Sequence, residues 1–381
     1  MNGEVPPTPL LLTPGPLSTA SETRRAMLQD WGSRDPAFTE LTARLLARLT
    51  AIAKATRHHV VVPIQGSGTY AVEAMLASLL PPDARLLVVV NGVYGERIVQ
   101  IAQRQGKIAE CLRGPWHRSF PPAELDRKLR DNPAITHVAL VHCETTTGVL
   151  NELDALAAVV AKHGRLLLVD AMSTFGAISI DLSRLPVAAL AFSSNKCLEG
   201  VPGLAFVIAD RDMLEQSRGT CRSLALDLHD QWITMARSGQ WRFTPPVQVV
   251  AALDAALDSL DQEGGPSGRL KRYSGNMEVL VRGMERLGLR PCVESSDQSP
   301  IIATFPWPWH SRVKFDELYQ FVRDRGYVIY RGAIPDCESF RVGCIGAVTC
   351  SDLDNFVICF AEFMRASGVE LVVASKHASQ T

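Results

Sequence analysis

The chain has 381 residues, 46% hydrophobic and 21% charged, with 39 Lys and Arg against 40 Asp and Glu. That is enough apolar material for a large core in two domains, and a formal charge of -1 leaves no basic surplus for nucleic acid. Disorder and coiled coil are excluded as well, because the apolar content is ordinary and no heptad pattern is sustained.

Residues 1–16 lack a basic stretch followed by a long apolar core, so no signal peptide is expected. No apolar run approaches the roughly 18 residues that cross a bilayer, and no membrane partner is expected. Nine cysteines are scattered without a CxxC pair, which argues against a disulfide framework or a structural zinc site and for a reduced, cytoplasmic setting. The runs Val60–Pro63, Leu86–Val90, Val138–Val141, Leu166–Val169 and Leu190–Ser193 read as strands covered on both faces. Amphipathic stretches at Ala71–Leu80, Glu124–Arg130 and Leu153–His163 read as the helices between them. Such alternation predicts an α/β fold with a mostly parallel central sheet, whose working residues stand at strand C-termini.

The rhythm breaks at residues 263–268, Glu-Gly-Gly-Pro-Ser-Gly, which read as a turn or hinge. A helix over 269–287 follows, then strands over 301–305, 327–330 and 340–342 and helices over 315–325 and 352–365. This stretch reads as a smaller C-terminal α+β domain. The expected division is an N-terminal arm over 1–20, a large domain over 21–265 and a small domain over 266–381, with the boundary between 265 and 290. The tail beyond Val373 reads as frayed.

Three features carry chemistry. Gln65-Gly66-Ser67-Gly68-Thr69-Tyr70 opens the helix after the Val60–Pro63 run. Backbone N–H groups at a helix N-terminus, with the Ser67 and Thr69 hydroxyls, make a phosphate cradle; a plain tight turn with a Ser/Thr cap reads the same way. It is neither a Walker A loop nor a dinucleotide fingerprint. Asp170 ends an apolar strand, where α/β enzymes place functional acids and where turn aspartates are also common. Lys196 stands 26 residues on, at the end of the next strand, among small polar residues and Gly200-Val201-Pro202-Gly203. Lysines normally sit on solvated faces, so one in this setting is unusual; a partly desolvated lysine has a lowered pKa and can form a Schiff base. Cradle, acid and amine in that order are the set that pyridoxal phosphate needs.

Over nearly its whole length the chain resembles the class V, fold type I pyridoxal phosphate enzymes of the aspartate aminotransferase superfamily. The likeness is carried by Thr13-Pro14-Gly15-Pro16, Gln65-Gly66-Ser67-Gly68, Val169-Asp170-Ala171-Met172-Ser173, Lys196 with Gly200-Val201-Pro202-Gly203, and Phe340-Arg341-Val342-Gly343. Asp30-Trp31-Gly32-Ser33, Glu144-Thr145-Thr146-Thr147-Gly148 and Trp241-Arg242-Phe243-Thr244 are similar to the branch acting on 2-aminoethylphosphonate and pyruvate. The chain departs from that branch at Arg34 and at Tyr330-Arg331-Gly332-Ala333, both bordering the expected substrate mouth.

The resemblance implies that Lys196 and Asp170 are catalytic. It also implies that Ser67, Gly68, Thr69 and Asn195 hold the cofactor phosphate, that Tyr94 stacks on the ring, and that Thr145 bonds near the phenolic oxygen or phosphate. Arg341 would clamp an anionic substrate, its fork suiting carboxylate and phosphonate alike. Trp241 and Thr244 would reach the phosphate of a neighbouring subunit, giving a homodimer with shared sites. The implied reaction converts 2-aminoethylphosphonate and pyruvate to phosphonoacetaldehyde and L-alanine; the alternative is another class V reaction, such as serine– or alanine–glyoxylate transamination. His142 reads as a structural strand-end histidine and Cys197 as packing, and no metal spacing appears.

Overall fold

The inner strands are built from the chain's longest apolar runs, and they assemble into one seven-stranded sheet. The computed structural model describes residues 8–307, 313–335 and 337–368; the expected frayed tail and the first seven residues of the expected arm lie outside these. In chain order the strands are β1 His59–Gln65, β2 Arg85–Val90, β3 Ile108–Arg113, β4 His137–Val141, β5 Leu166–Asp170, β6 Ala189–Ser193 and β7 Leu204–Asp210. They lie side by side as β1-β7-β6-β5-β4-β2-β3. Only β7 runs antiparallel to its neighbours β1 and β6, so six strands end at one edge of the sheet.

The helices packed on the sheet are α1 Pro36–Ile52, α2 Gly68–Leu79, α3 Val93–Arg104, α4 Pro122–Asp131, α5 Leu153–Lys162 and α6 Val247–Gln262. Alternation along the strands sorts them into two layers. Leu87, Val89, Leu140, Val169 and Phe192 face the core under α1, α4, α5 and α6. Leu86, Val88, Ala139, Ala189, Ala191 and Ala205 face α2 and α3 on the other side. The small alanines there let α2 settle close to the sheet, which sets its N-terminus at the working edge. Phe192 is fully buried, with its ring 3.7 Å from that of Phe175; its truncation to alanine would cost about 3–5 kcal/mol.

Beyond residue 264 the chain builds a second, smaller layer. It contains helix α7 Gly265–Arg286, strand β8 Ile302–Pro306, helix α8 Phe315–Asp324, strands β9 Tyr330–Arg331 and β10 Ser339–Gly343, and helix α9 Cys350–Ala366. The three strands order β8-β10-β9, all antiparallel, against α7, α8 and α9. Helix α9 starts on a capping box in which Thr349 and Asp352 exchange bonds.

Three sequence expectations are corrected here. The helix expected from residue 269 begins at Gly265, because Gly264 (φ +94°) makes the turn and Pro266 suits the first helical position. The strand expected over 327–330 splits: Tyr327–Val328 pairs with Leu10–Leu11, while Tyr330–Arg331 joins β10 in the other sheet. Strands β3 and β7 were not expected at all; β3 is a half-buried edge, and β7 follows directly on the Gly200–Gly203 turn.

Candidate active site

At the edge where the six co-directional strands end, the N-termini of α2 and α3 and the ends of β5 and β6 enclose a cavity of about 260 Å³. Ser67, Gly68, Thr69, Tyr94, Asp170, Asn195 and Lys196, all expected from sequence, line it, and so do Arg97, Met172 and Ser193. At the cradle, Ser67 takes the N-cap position of α2 without spending its hydroxyl on a capping bond. A Cβ on Gly68 would sit 2.4 Å from the Met172 sulfur, so glycine is what lets the Asp170–Met172 turn close against the cradle.

Asp170 is buried where β5 ends between Val141 and Ala191. One carboxylate oxygen accepts from Met172 N at 2.9 Å. Burial pushes its acid up to about 6, against the pull of that N–H, Arg97 and Lys196. Lys196 lies three residues past the end of β6, and its Nζ donates to Pro14 O at 2.5 Å. Burial pushes the amine down to about 8, and the charge of Arg341 pushes the same way. Gly15 lies directly over it: with φ +120°, a Cβ there would stand 2.5 Å from Nζ.

Tyr94 opens α3. Its N–H and that of Gly95 donate to Glu144 Oε2 at 3.0 and 3.3 Å, while Thr146 gives N–H and hydroxyl bonds to Oε1. Glu144 thus serves as an external cap, and Gly92 is needed for its approach, since a Cβ there would fall 2.0 Å from the side chain. Burial pushes Glu144 up to about 7. Arg97 stands 4.8 Å over the Tyr94 ring and donates to Thr69 Oγ1 at 3.4 Å, joining helix α3 to the cradle.

Arg341 lies on β10, the middle strand of the small sheet, and is half-buried rather than a water-facing edge residue. Its Nε donates to Arg331 O and its Nη1 to Thr145 O, both at 3.1 Å. Nη2 has no protein partner among the described residues. Burial lowers the guanidinium pKa, against the pull of Tyr94 and Glu144. Thr145 is buried beside Glu144 and holds Arg341 through its backbone carbonyl.

Trp241 and Thr244 are elsewhere. The Trp241 indole is buried and donates to Thr42 Oγ1 at 3.2 Å, and Thr244 is exposed, its carbonyl accepting from the Gln65 amide. Both line a separate cavity of about 300 Å³ with Ser33 and Arg34. His142 is buried with Nδ1 3.0 Å from Thr174 Oγ1 and its pKa pushed down to about 4, and the Cys197 thiol is buried against Ser173 O. Sequence reasoning missed Arg97, Ser193 and Glu144. Arg97 carried a signal, three residues after Tyr94 on a helix that leaves the working edge.

A family model described as "Aminotransferase class-V" matches residues 34–334. The chain belongs to the class V aminotransferase family. The 2-aminoethylphosphonate–pyruvate transaminase 2 of Burkholderia lata is 50% identical to it over 96% of this chain and 97% of the relative. The 2-aminoethylphosphonate–pyruvate transaminase of Pseudomonas aeruginosa PAO1 is 48% identical over 94% and 96%. Among solved structures, an aspartate aminotransferase of subgroup IV from Thermus thermophilus superimposes with a TM-score of 0.84 at 28% identity, covering 94% of this chain and 99% of its own.

Class V aminotransferases use pyridoxal phosphate, and the cavity suits it. The Ser193 hydroxyl is buried there with no bond partner, an arrangement costing about 1–3 kcal/mol that a polar ligand relieves. The cradle offers N–H and hydroxyl donors to a phosphate, and buried Asp170 lacks the cationic partner that a protonated pyridine nitrogen supplies.

Proposed function

We propose that this aminotransferase moves the amino group of 2-aminoethylphosphonate to pyruvate, giving phosphonoacetaldehyde and L-alanine. The names of relatives about half identical over nearly the full length support the substrate pair. The observation that carries the substrate class is Arg341, fixed by two carbonyls with Nη2 left over, beside the amine of Lys196. The two substrates bind in turn and each carries one anionic group, so a single clamp serves both.

Bound pyridoxal phosphate supplies the carbonyl carbon that takes up the donor amine and a ring that accepts the electron pair left when a proton departs. Ser67, Gly68, Thr69 and Asn195 hold its phosphate, Tyr94 covers the ring, and Thr145 bonds near its phenolic oxygen or phosphate. Asp170 keeps the proton on the ring nitrogen. Lys196 Nζ removes the proton from the carbon bearing nitrogen and returns it later, its lowered pKa suiting a base near neutral pH. Pyruvate then takes up the amino group in the reverse half-reaction.

The working unit is a homodimer in which exposed Thr244 reaches the partner subunit's phosphate, while Trp241, its N–H bonded to Thr42, backs that segment from the core. Exposed Tyr70 and Phe243 near them support a face that a second copy covers. The chain divides into the arm over 1–20, the large domain over 21–265 and the small domain over 266–381. Nine free thiols suit a reducing, cytoplasmic compartment, and no helix among the described residues is long and apolar enough to cross a membrane.

The test is one cuvette. The visible band of the yellow protein should bleach when 2-aminoethylphosphonate is added alone and return with pyruvate. Bleaching by serine or alanine but not by the phosphonate would move the donor to the alternative class V reaction. Lys196→Ala should abolish turnover, and a variant near wild-type rate would sink the role of the lysine.

A further inference from the structure

Behind the lysine lies a buried charged cluster that the reaction does not use. Glu199, three residues after Lys196, is 6% exposed and has φ +58°, a left-handed conformation that glutamate rarely adopts and glycine adopts freely. Its Oε1 accepts from Tyr273 OH at 2.5 Å and from Arg272 Nη2 at 2.7 Å, and Arg269 Nη2 stands 3.8 Å from Oε2. Glu263 completes the set, bonding Arg269 Nε at 2.8 Å and Arg272 Nε at 2.7 Å. Two acids balance two guanidinium groups, so the cluster is neutral as a whole.

Its bonds converge on the turn that carries the lysine. Glu199 N donates to Lys196 O at 2.8 Å, and Arg269 Nη1 donates to Cys197 O at 2.9 Å. On the other side, Arg272 Nη1 donates to Gly346 O at 2.5 Å, in the segment that follows the Arg341 strand. A strained backbone persists only where its surroundings over-determine it, and here the side chain is what holds it.

We propose that Glu199 is a positioning residue for Lys196: its carboxylate, gripped by Tyr273 and Arg272, locks the lysine turn and sets how deeply Nζ is withdrawn from water. The proposal rests on the reading of Lys196 given above. Loosening the turn hydrates the amine, so its protonation shifts toward that of an ordinary lysine, to higher pH.

The experiment compares wild type, Glu199→Gln, Glu199→Gly and Tyr273→Phe as full chains, with and without pyridoxal phosphate. In the cofactor-free chains, acetylation of Lys196 by an amine-reactive ester is followed against pH by peptide mass spectrometry. In the loaded enzymes, kcat and KM are measured. Glu199→Gln should slow Lys196 labelling at pH 8 by threefold or more, move its midpoint to higher pH, and lower kcat at least tenfold with donor KM within about threefold. Glu199→Gly relieves the φ strain but should show the same labelling shift, and Tyr273→Phe a smaller one. A wild-type labelling profile in Glu199→Gln overturns the proposal, even if the variant melts earlier, since that is all a merely structural residue would do. If Lys196→Ala retains turnover, the reading of the lysine fails; if that variant is dead while Glu199→Gln keeps the wild-type profile, only the Glu199 proposal fails.

Discussion

Arg341 and Thr145, 196 residues apart in the chain, are joined by a 3.1 Å hydrogen bond from Nη1 to the backbone carbonyl. The bond ties a side chain of the small sheet to the loop beside Glu144, close enough for its charge to act on Lys196. Replacing Arg341 with alanine removes the charge and leaves the Thr145 and Arg331 carbonyls without their donor. A lost charge-assisted bond of about 1.5–3 kcal/mol corresponds to a rise in KM of roughly 10- to 150-fold for the phosphonate and for pyruvate alike. Arg341→Lys keeps the charge but not the fork, so it should fall between. Steady-state kinetics with each substrate varied in turn checks this; a rise for one substrate only would mean separate clamps.

Gly15 faces Lys196 so closely that its missing side chain is a structural requirement. With φ +120° and only 2.5 Å from a built Cβ to Nζ, Gly15→Ala forces the loop or the amine aside. Turnover should drop at least tenfold, and the variant should retain pyridoxal phosphate less firmly through dialysis, seen as loss of the visible band. A fully yellow, fully active variant would show that the amine tolerates displacement.

Asp170 has one oxygen committed to Met172 N and its acid raised by burial, so it gains most from a cationic partner in the cavity. Asp170→Ala should lower kcat far more than it raises substrate KM. A fall of less than about tenfold (~1.4 kcal/mol) would rule out the pyridinium role.

How much of this was legible in the sequence depends on how local each signal was. Leu86–Val90, Val138–Val141 and Leu166–Val169 read correctly because strands buried on both faces need nothing but apolar residues. The working edge followed, since Asp170 and Lys196 come directly off such strands. Strand Ile108–Arg113 did not announce itself, being half-buried on the sheet's rim, and Tyr327–Tyr330 looked continuous because crossing between sheets leaves no mark in four residues. Glu144 was hidden for another reason. Its meaning lies in Tyr94 and Gly95, about fifty residues away, and no spacing rule brings them together. The same holds for Ser193, which reads as the last residue of a strand until its lack of a partner is seen in three dimensions.

Glu144 makes the sharpest pH prediction. Burial holds its acid at about 7 in the folded chain against an ordinary 4.5, although four donors favour the charged form. An acid raised on folding binds its proton more tightly in the folded state, so between these values the folded form carries more protons. Stability contributed by this group is therefore complete below about pH 4.5 and is lost as pH rises through 7. A shift of this size amounts to at most about 3 kcal/mol across the window. Glu144→Gln keeps the shape and removes the titration, with its carbonyl accepting from the Tyr94 and Gly95 N–H groups and its amide donating to the Thr146 hydroxyl; the lost Thr146 N–H bond is an offset that does not vary with pH. Parallel thermal unfolding of both proteins from pH 5 to 8 should show the wild type losing ground to the variant up to about pH 7, then a constant difference. A difference that stays flat across the whole range would mean that the helix N-terminus and Thr146 keep Glu144 charged throughout.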